Sequence, residues 1–281
     1  MTAIPYEKYH GTENDFIVID ASAPVDDWAA LATWACDPDR GIGADGVLSL
    51  ALDPTTDPVT VTMTLYQPDG GTAAMCGNGA RCVAHWTAQR TGAETVDIDT
   101  PAGIRRATVD GKTVTVEMGT PTFDPRAVPV AEAEGYTEPL IEKRVGPLTV
   151  TAVNTGVPHA VSIVPDVDAI DLGRIGPAVR YADAFPEGAN VTLASRRDGD
   201  GFDQRTYERG VEDETRACGT GAVAIAAVAH RFGWLDTGDA ATVVPPGGPL
   251  EVTIRRDGTT TLRGPVVREA TGELERPPVE G

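Results

Sequence analysis

The chain is poor in lysine. Its 281 residues include only Lys8, Lys112 and Lys143, and 23 basic residues stand against 42 acidic ones, for a net charge of −19. A surface that negative repels nucleic-acid phosphates and anionic lipid, so neither is expected as a partner. Long hydrophobic runs are lacking too, and no stretch approaches the roughly 18 apolar residues of a membrane span. The opening MTAIPYEKYHGTENDF has no apolar segment and no cleavage signature, so no secretory signal is read and a cytoplasmic location is expected. Cysteine is scarce. Four residues, Cys36, Cys76, Cys82 and Cys218, show no CxxC pairing, and the four histidines show no partner spacing. That excludes a disulfide scaffold and a zinc site, and no metal or cofactor is expected.

What is present suffices for a core, with 41% hydrophobic residues. The acidic, lysine-poor balance fits a protein of a halophilic organism with molar salt in its cytoplasm. An ordinary acidic protein from a GC-rich genome would show the same preference for Ala and Arg.

Periodicity gives a coarse layout. Residues 16–19 read as a buried strand, and Trp28, Leu31 and Ala35 fall on one face of a helix. VTVTMTLYQ alternates with period two. TVDIDTPAGIRRATVDGKTVTVEMG reads as three strands, with Asp110-Gly111 as a hairpin signal. The second half repeats the order through LTVTAVNTGVPHAVSIV, RYADAFPEGANVTLAS and GFDQRTYERG, then a helix, then hairpins in ATVVPPGGPLEVTIRRDGTTTLRGPV. Two halves are therefore expected, 1–118 and 119–264, with 265–281 folding back onto the first.

Each half holds one unusual stretch, AMCGNGARC at 74–82 and RACGTGAVA at 216–224. In both, a cysteine is followed by Gly-x-Gly and a helical run. The first run reads as a helix over about 79–90. The second carries no charge from Ala222 to Ala229 and reads as a helix buried on all sides, with antiparallel strands around it. Asn14 precedes Cys76 by 62 residues and Val157 precedes Cys218 by 61. A thiol at a helix entrance lies beside unpaired N–H groups and the positive end of the dipole, which favour a thiolate and a bound carboxylate. Two such segments facing each other would put one sulfur on each face of a bound carbon. That suits inversion at a carbon bearing a hydrogen, with one thiolate removing the proton and the opposite thiol delivering another. Cys36 and Cys82 lack this setting and read as small buried hydrophobes.

These segments, together with HGTENDF, GIGADG, DGG, TGVPHAV, EGANV and YERG in order along the chain, resemble the diaminopimelate epimerase family. The resemblance implies an α+β fold of two pseudo-symmetric halves, each a curved antiparallel sheet around a central helix. It implies a cofactor-independent isomerase interconverting LL- and meso-diaminopimelate for lysine synthesis, with a small amino-acid substrate and a homodimeric assembly. Carried over by position, Cys76 and Cys218 would be the acid/base pair. The amides of Gly77, Asn78, Gly219 and Thr220 would hold the reacting carboxylate, and Asn14 and Glu208 the α-ammonium group. Gln67, Asn190 and Arg209 would meet the distal end, and His159 would stand behind the thiols unless it is a turn histidine satisfied locally. Gln67 and Val157 stand where such proteins often carry Asn, Glu13 where Gly is usual, and Gly46 where some have Gln. Val157 offers no side-chain donor.

Other readings stay open: an epimerase or racemase of proline, hydroxyproline or histidine, a non-catalytic amino-acid binding protein, or a thiol redox protein. The Gly-x-Gly-x-x-Gly spacing of GIGADG is no dinucleotide fingerprint, since it follows a helix and precedes a strand. Charge alone yields one expectation. Salt screens self-repulsion, so the thermal midpoint rises by about 5 °C or more between about 0.1 and 2 M KCl, and a flat or falling series in calorimetry would count against it.

Overall fold

The computed structural model describes residues 3–130 and 138–274, and the chain divides into two compact units, 1–116 with 264–281 and 117–263. The first contains β1 (Ile4–Gly11), β2 (Asn14–Asp20), α1 (Trp28–Cys36), β3 (Gly46–Asp53), β4 (Val59–Tyr66), β5 (Thr72–Ala73), α2 (Gly77–Thr91), β6 (Thr95–Asp99) and β7 (Arg105–Asp110), and β8 (Thr113–Gly119) leads out of it. The second contains β9 (Lys143–Val145), β10 (Leu148–Asn154), β11 (Pro158–Ile163), α3 (Leu172–Arg180), β12 (Asn190–Arg196), β13 (Gly201–Glu208), β14 (Asp213–Thr215), α4 (Gly219–Arg231), β15 (Ala240–Val244), β16 (Leu250–Ile254) and β17 (Thr260–Pro265). The chain then returns to the first unit as β18 (Val267–Leu274), antiparallel to β1. Residues 275–281 of the expected returning tail lie outside the described residues.

Pairing follows one scheme twice. In the first unit β1–β2, β3–β4, β4–β5, β6–β7 and β7–β8 are antiparallel, while β2–β3 and β4–β6 are parallel. In the second, β10–β11, β12–β13, β13–β14, β15–β16 and β16–β17 are antiparallel, while β11–β12 and β13–β15 are parallel. The parallel pairs have a cause. Parallel neighbours need a crossover, and a helix supplies each one: α1, α2, α3 and α4 in turn. Strands flanked by helices are covered on both faces, so β2 and β3 read as continuous apolar runs. Residues 16–19 and 46–50 are buried without alternation.

Within each unit one helix is enclosed. α2 packs on β1, β2, β3, β4, β6 and β7, and α4 on β10, β11, β12, β13, β15 and β16. Six strands at about 4.8 Å spacing are far wider than a helix of about 10–12 Å, so the sheet must curl to touch it. The first eleven residues of each helix are accordingly buried. α1 packs on β3 and β4, and α3 on β12, β13 and β14. The helix expected from Trp28, Leu31 and Ala35 is α1, which ends at Cys36, before the DPDR of the segment DDWAALATWACDPDR. No helix was read in DLGRIGPAVR, where α3 lies. Two glycines and Pro177 depress its local propensity, and packing of Leu172, Ile175 and Val179 on the sheet forms it instead. Among the described residues no helix is long and apolar enough to cross a membrane.

A test sits in α3. A Cβ on Gly176 would lie 2.7 Å from Cγ of the buried Tyr207. Gly176→Ala should lower stability by about 1–3 kcal/mol in urea unfolding, although alanine is the better helix former. A gain would show that the helix does not press on that ring.

Candidate active site

The four helix starts differ in chemistry. α1 and α3 are capped by Asp27 and Asp171, whose carboxylates accept from Ala30 N at 3.0 Å and Arg174 N at 3.1 Å. The enclosed helices begin instead at Cys76 and Cys218, both in extended backbone. Sulfur is a weak acceptor and cysteine is outside the set of good caps. The two deepest helix ends therefore carry the poorest caps, where orphan amides and the dipole most favour an anion.

In the first unit, Gly79 N–H donates to Cys76 Sγ at 3.4 Å, and Sγ lies 4.0 Å from Asn14 Oδ1. Asn14, at the start of β2, belongs to a directed chain of hydrogen bonds. Arg81 Nη2 donates to Asn78 Oδ1 at 2.6 Å, Asn78 Nδ2 to Asn14 Oδ1 at 3.1 Å, and Asn14 Nδ2 to Asp45 Oδ2 at 2.5 Å. The guanidinium at one end and the carboxylate at the other fix both amides in one sense. Asn14 thereby turns its carbonyl, an acceptor, toward the sulfur. Asp45 also accepts from Asp15 N at 3.0 Å. Burial first, offset by the bond from Asn14, leaves its pKa raised. Gln67 follows β4, where its backbone closes a turn with Gly70 and Gly71. Its side chain has no hydrogen bond to Asn14, Cys76 or Asn78 among the described residues.

In the second unit Cys218, Thr220, His159, Asn190 and Arg209 form one connected set. Cys218 Sγ lies 3.4 Å from Thr220 Oγ1, which lies 3.0 Å from His159 Nε2. His159 Nδ1 meets Thr192 Oγ1 at 2.9 Å. Asn190 Oδ1 accepts Arg209 N–H at 2.7 Å, and its Nδ2 lies 3.4 Å from His159 Nε2. Arg209 Nη1 donates to Glu187 O at 3.2 Å, and Glu208 accepts from the Thr215 hydroxyl. Burial, then the charge of Arg209, pushes the His159 imidazole down to about 3, so it is neutral at working pH. It is not a turn histidine: it lies within β11, fully buried. Beneath Cys218, Gln204 Nε2 donates to Cys218 O at 2.9 Å and Thr206 Oγ1 at 3.1 Å. A Cβ on Gly221 would stand 2.6 Å from that nitrogen, which explains the glycine in the third helical position.

Sequence reasoning missed Asp45, Arg81, Thr192, Gln204 and Thr206. Arg81 and Asp45 stood inside quoted motifs, and Gln204 and Thr206 were polar residues one strand period apart. Cys36 and Cys82 are buried, and burial pushes both thiols up to about 12. They are inert, in contrast to a thiol beside helix amides.

Comparison with known proteins gives consistent findings. A family profile described as "Diaminopimelate epimerase" matches residues 6–123 and 151–272. A diaminopimelate epimerase of Methanocella arvoryzae is 43% identical, with 98% of each chain covered. One of Methanothrix thermoacetophila is 40% identical, covering 97% of this chain and 96% of that one. Among solved structures, a predicted epimerase of Pseudomonas aeruginosa superposes with TM-score 0.70 at 20% identity, covering 98% of this chain and 100% of that one. A probable proline racemase of Agrobacterium radiobacter gives 0.69 at 18%, covering 99% and 94%. These two likenesses concern the fold alone.

The neutral His159 makes a stability prediction. Unfolding frees an imidazole with a pKa of about 6.5, so below that pH the unfolded chain binds a proton that the folded chain refuses. The full contribution is present above about 6.5 and is lost as pH falls toward 3. Between about pH 6.5 and 5 the chain should lose about 1.5 kcal/mol that His159→Gln does not. Equal losses in urea titrations of both proteins would show that His159 is already protonated or exposed.

Proposed function

The chain belongs to the diaminopimelate epimerase family, and from that membership we infer that it is an isomerase that epimerises diaminopimelate in lysine biosynthesis. The observation carrying the mechanistic reading is the repeat itself: a cysteine caps the enclosed helix at the same topological position of both units. In this reading Cys76 and Cys218 act on one α-carbon. A thiolate takes the α-proton, and the thiol on the other side gives its proton to the carbanion. The pair ends with its protonation states exchanged and the carbon inverted. No redox change occurs, so the organic chemistry asks for no electron carrier.

The α-proton is a weak acid, and most of the barrier is the charge that develops on the carboxylate as it leaves. Amides of Gly77, Asn78, Gly219 and Thr220 at the starts of α2 and α4 suit that anion, and such preorganised donors are the largest resource for a reaction of this kind. Asn14, which offers a carbonyl, and Glu208 suit the α-ammonium group. Arg209 suits a distal carboxylate through its planar fork, with Asn190 holding its backbone. Gln67 belongs to the same distal end. His159, neutral and joined to Cys218 through Thr220, sets the hydrogen-bond surroundings of that thiol without carrying a charge. A homodimer in the cytoplasm is part of the same reading.

Val157 favours one second reading. It brings no donor where the family resemblance places an amide, so a smaller amino acid such as proline is the competing substrate. Proton NMR in D2O separates the two. Meso-diaminopimelate should lose its α-proton signal, while proline and histidine keep theirs. Cys76→Ala and Cys218→Ala should each cut turnover at least about 100-fold. Exchange of proline alone would keep the chemistry and replace the substrate, and full activity in either alanine variant would end the two-thiol mechanism.

A further inference from the structure

Arg81 is a cation in an unusual place. It lies on α2, is 0% exposed, and among the described residues no carboxylate pairs with it directly. Its Nη atoms reach Asn78 Oδ1, Thr12 Oγ1 at 3.1 Å and Pro265 O at 2.9 Å, while Nε has no partner. Burying a charge on neutral acceptors alone is costly. Burial moves Arg81 only down to about 10, so it remains charged at working pH. Cys82 is fully buried, whereas Cys76 is partly exposed at the entrance of α2, the setting that favours a thiolate.

The second unit supplies an internal control. Five residues after Cys76 the chain carries Arg81, whereas five residues after Cys218 it carries the apolar, fully buried Val223. The cap differs in the same direction: Gly79 N–H donates to Cys76 Sγ, whereas the side chain of Cys218 makes no cap bond. We propose that Arg81 is a positioning residue that serves as internal counter-ion to the Cys76 thiolate, making the two thiols electrostatically unlike before any substrate binds. It acts through its charge, not by contact with the reacting carbon.

Other charged groups face the same thiol. Asp45 stands at the far end of the asparagine chain and opposes the thiolate. Asp15 is paired with Lys8 at 2.5 Å, and Glu13 lies in the turn between β1 and β2. Joined to Cys218 through Thr220 stands neutral His159, with Arg209 beyond it behind Asn190.

The proposal deepens the two-thiol reading and rests on it, but its test reads ionisation and not turnover. Alkylation by iodoacetamide is followed against pH, with peptide mass spectrometry resolving each cysteine, in proteins that keep one of the pair (Cys218→Ala or Cys76→Ala). Adding Arg81→Gln should raise the midpoint of Cys76 by about 1 pH unit and leave that of Cys218 in place. An unmoved Cys76, or an equal shift of both, overturns the assignment, since a general loosening would move the two alike. Should Arg81→Gln fail to fold by circular dichroism, Arg81→Lys decides. It keeps the charge and loses the fork, so the Cys76 midpoint should stay within about 0.3 pH units, and a full-unit rise would show that the hydrogen bonds and not the charge matter. Loss of activity in the alanine proteins tests the two-thiol reading separately.

Discussion

A helix that begins inside protein must find partners for its first N–H groups, and much of this architecture follows from that need. α2 and α4 start at depth because the sheet of each unit curls around them. Aspartate, which caps the peripheral helices, is not used there. Aspartate would satisfy the amides permanently. Cysteine is a weaker acceptor, and the helix end keeps its positive potential, which suits an anion. The resting fold thus gives up cap stability, about 1 kcal/mol per helix in ordinary cases.

Around each cysteine a second layer orients the first. In one unit it runs from the guanidinium of Arg81 through two asparagines to the carboxylate of Asp45. The direction of every amide in it is set by the charges at its ends, and for that reason Asn14 shows a carbonyl to the sulfur. In the other unit the groups nearest the sulfur are threonine hydroxyls, a glutamine amide and a histidine that burial keeps uncharged, with Arg209 further out behind Asn190. The topology of the two units is the same to the level of which strand pairs are parallel, yet their electrostatics are not. A duplicated fold can hold two like thiols in unlike fields, as the proposed proton exchange asks, in which one group gives a proton while the other takes it.

The acidic balance of the chain belongs to its surface and is independent of this interior. With 42 acidic residues, solubility is set by exposed carboxylates, while the buried Arg81 and the half-buried Arg209 carry the opposite sign toward the helix ends. Bulk composition spoke to partners and to salt, and was silent about the centre of either unit.

The sequence by itself determined the punctuation of the structure. Cys-Gly-x-Gly before an apolar run marks a helix entrance whatever the tertiary fold. The alternation of VTVTMTLYQ and the Asp110-Gly111 turn, with Gly111 at φ 57, are decided within a few residues, because backbone sterics and period act locally. Tertiary structure decided the rest. α3 exists because the sheet offers a surface to Leu172, Ile175 and Val179, against the local cost of two glycines and a proline. Asp45 meets Asn14 across 31 residues and Thr220 meets His159 across 61, and no periodicity spans such gaps. The neutrality of His159 and the cost of charge on Arg81 are properties of burial, and burial is settled only when distant strands close over a side chain.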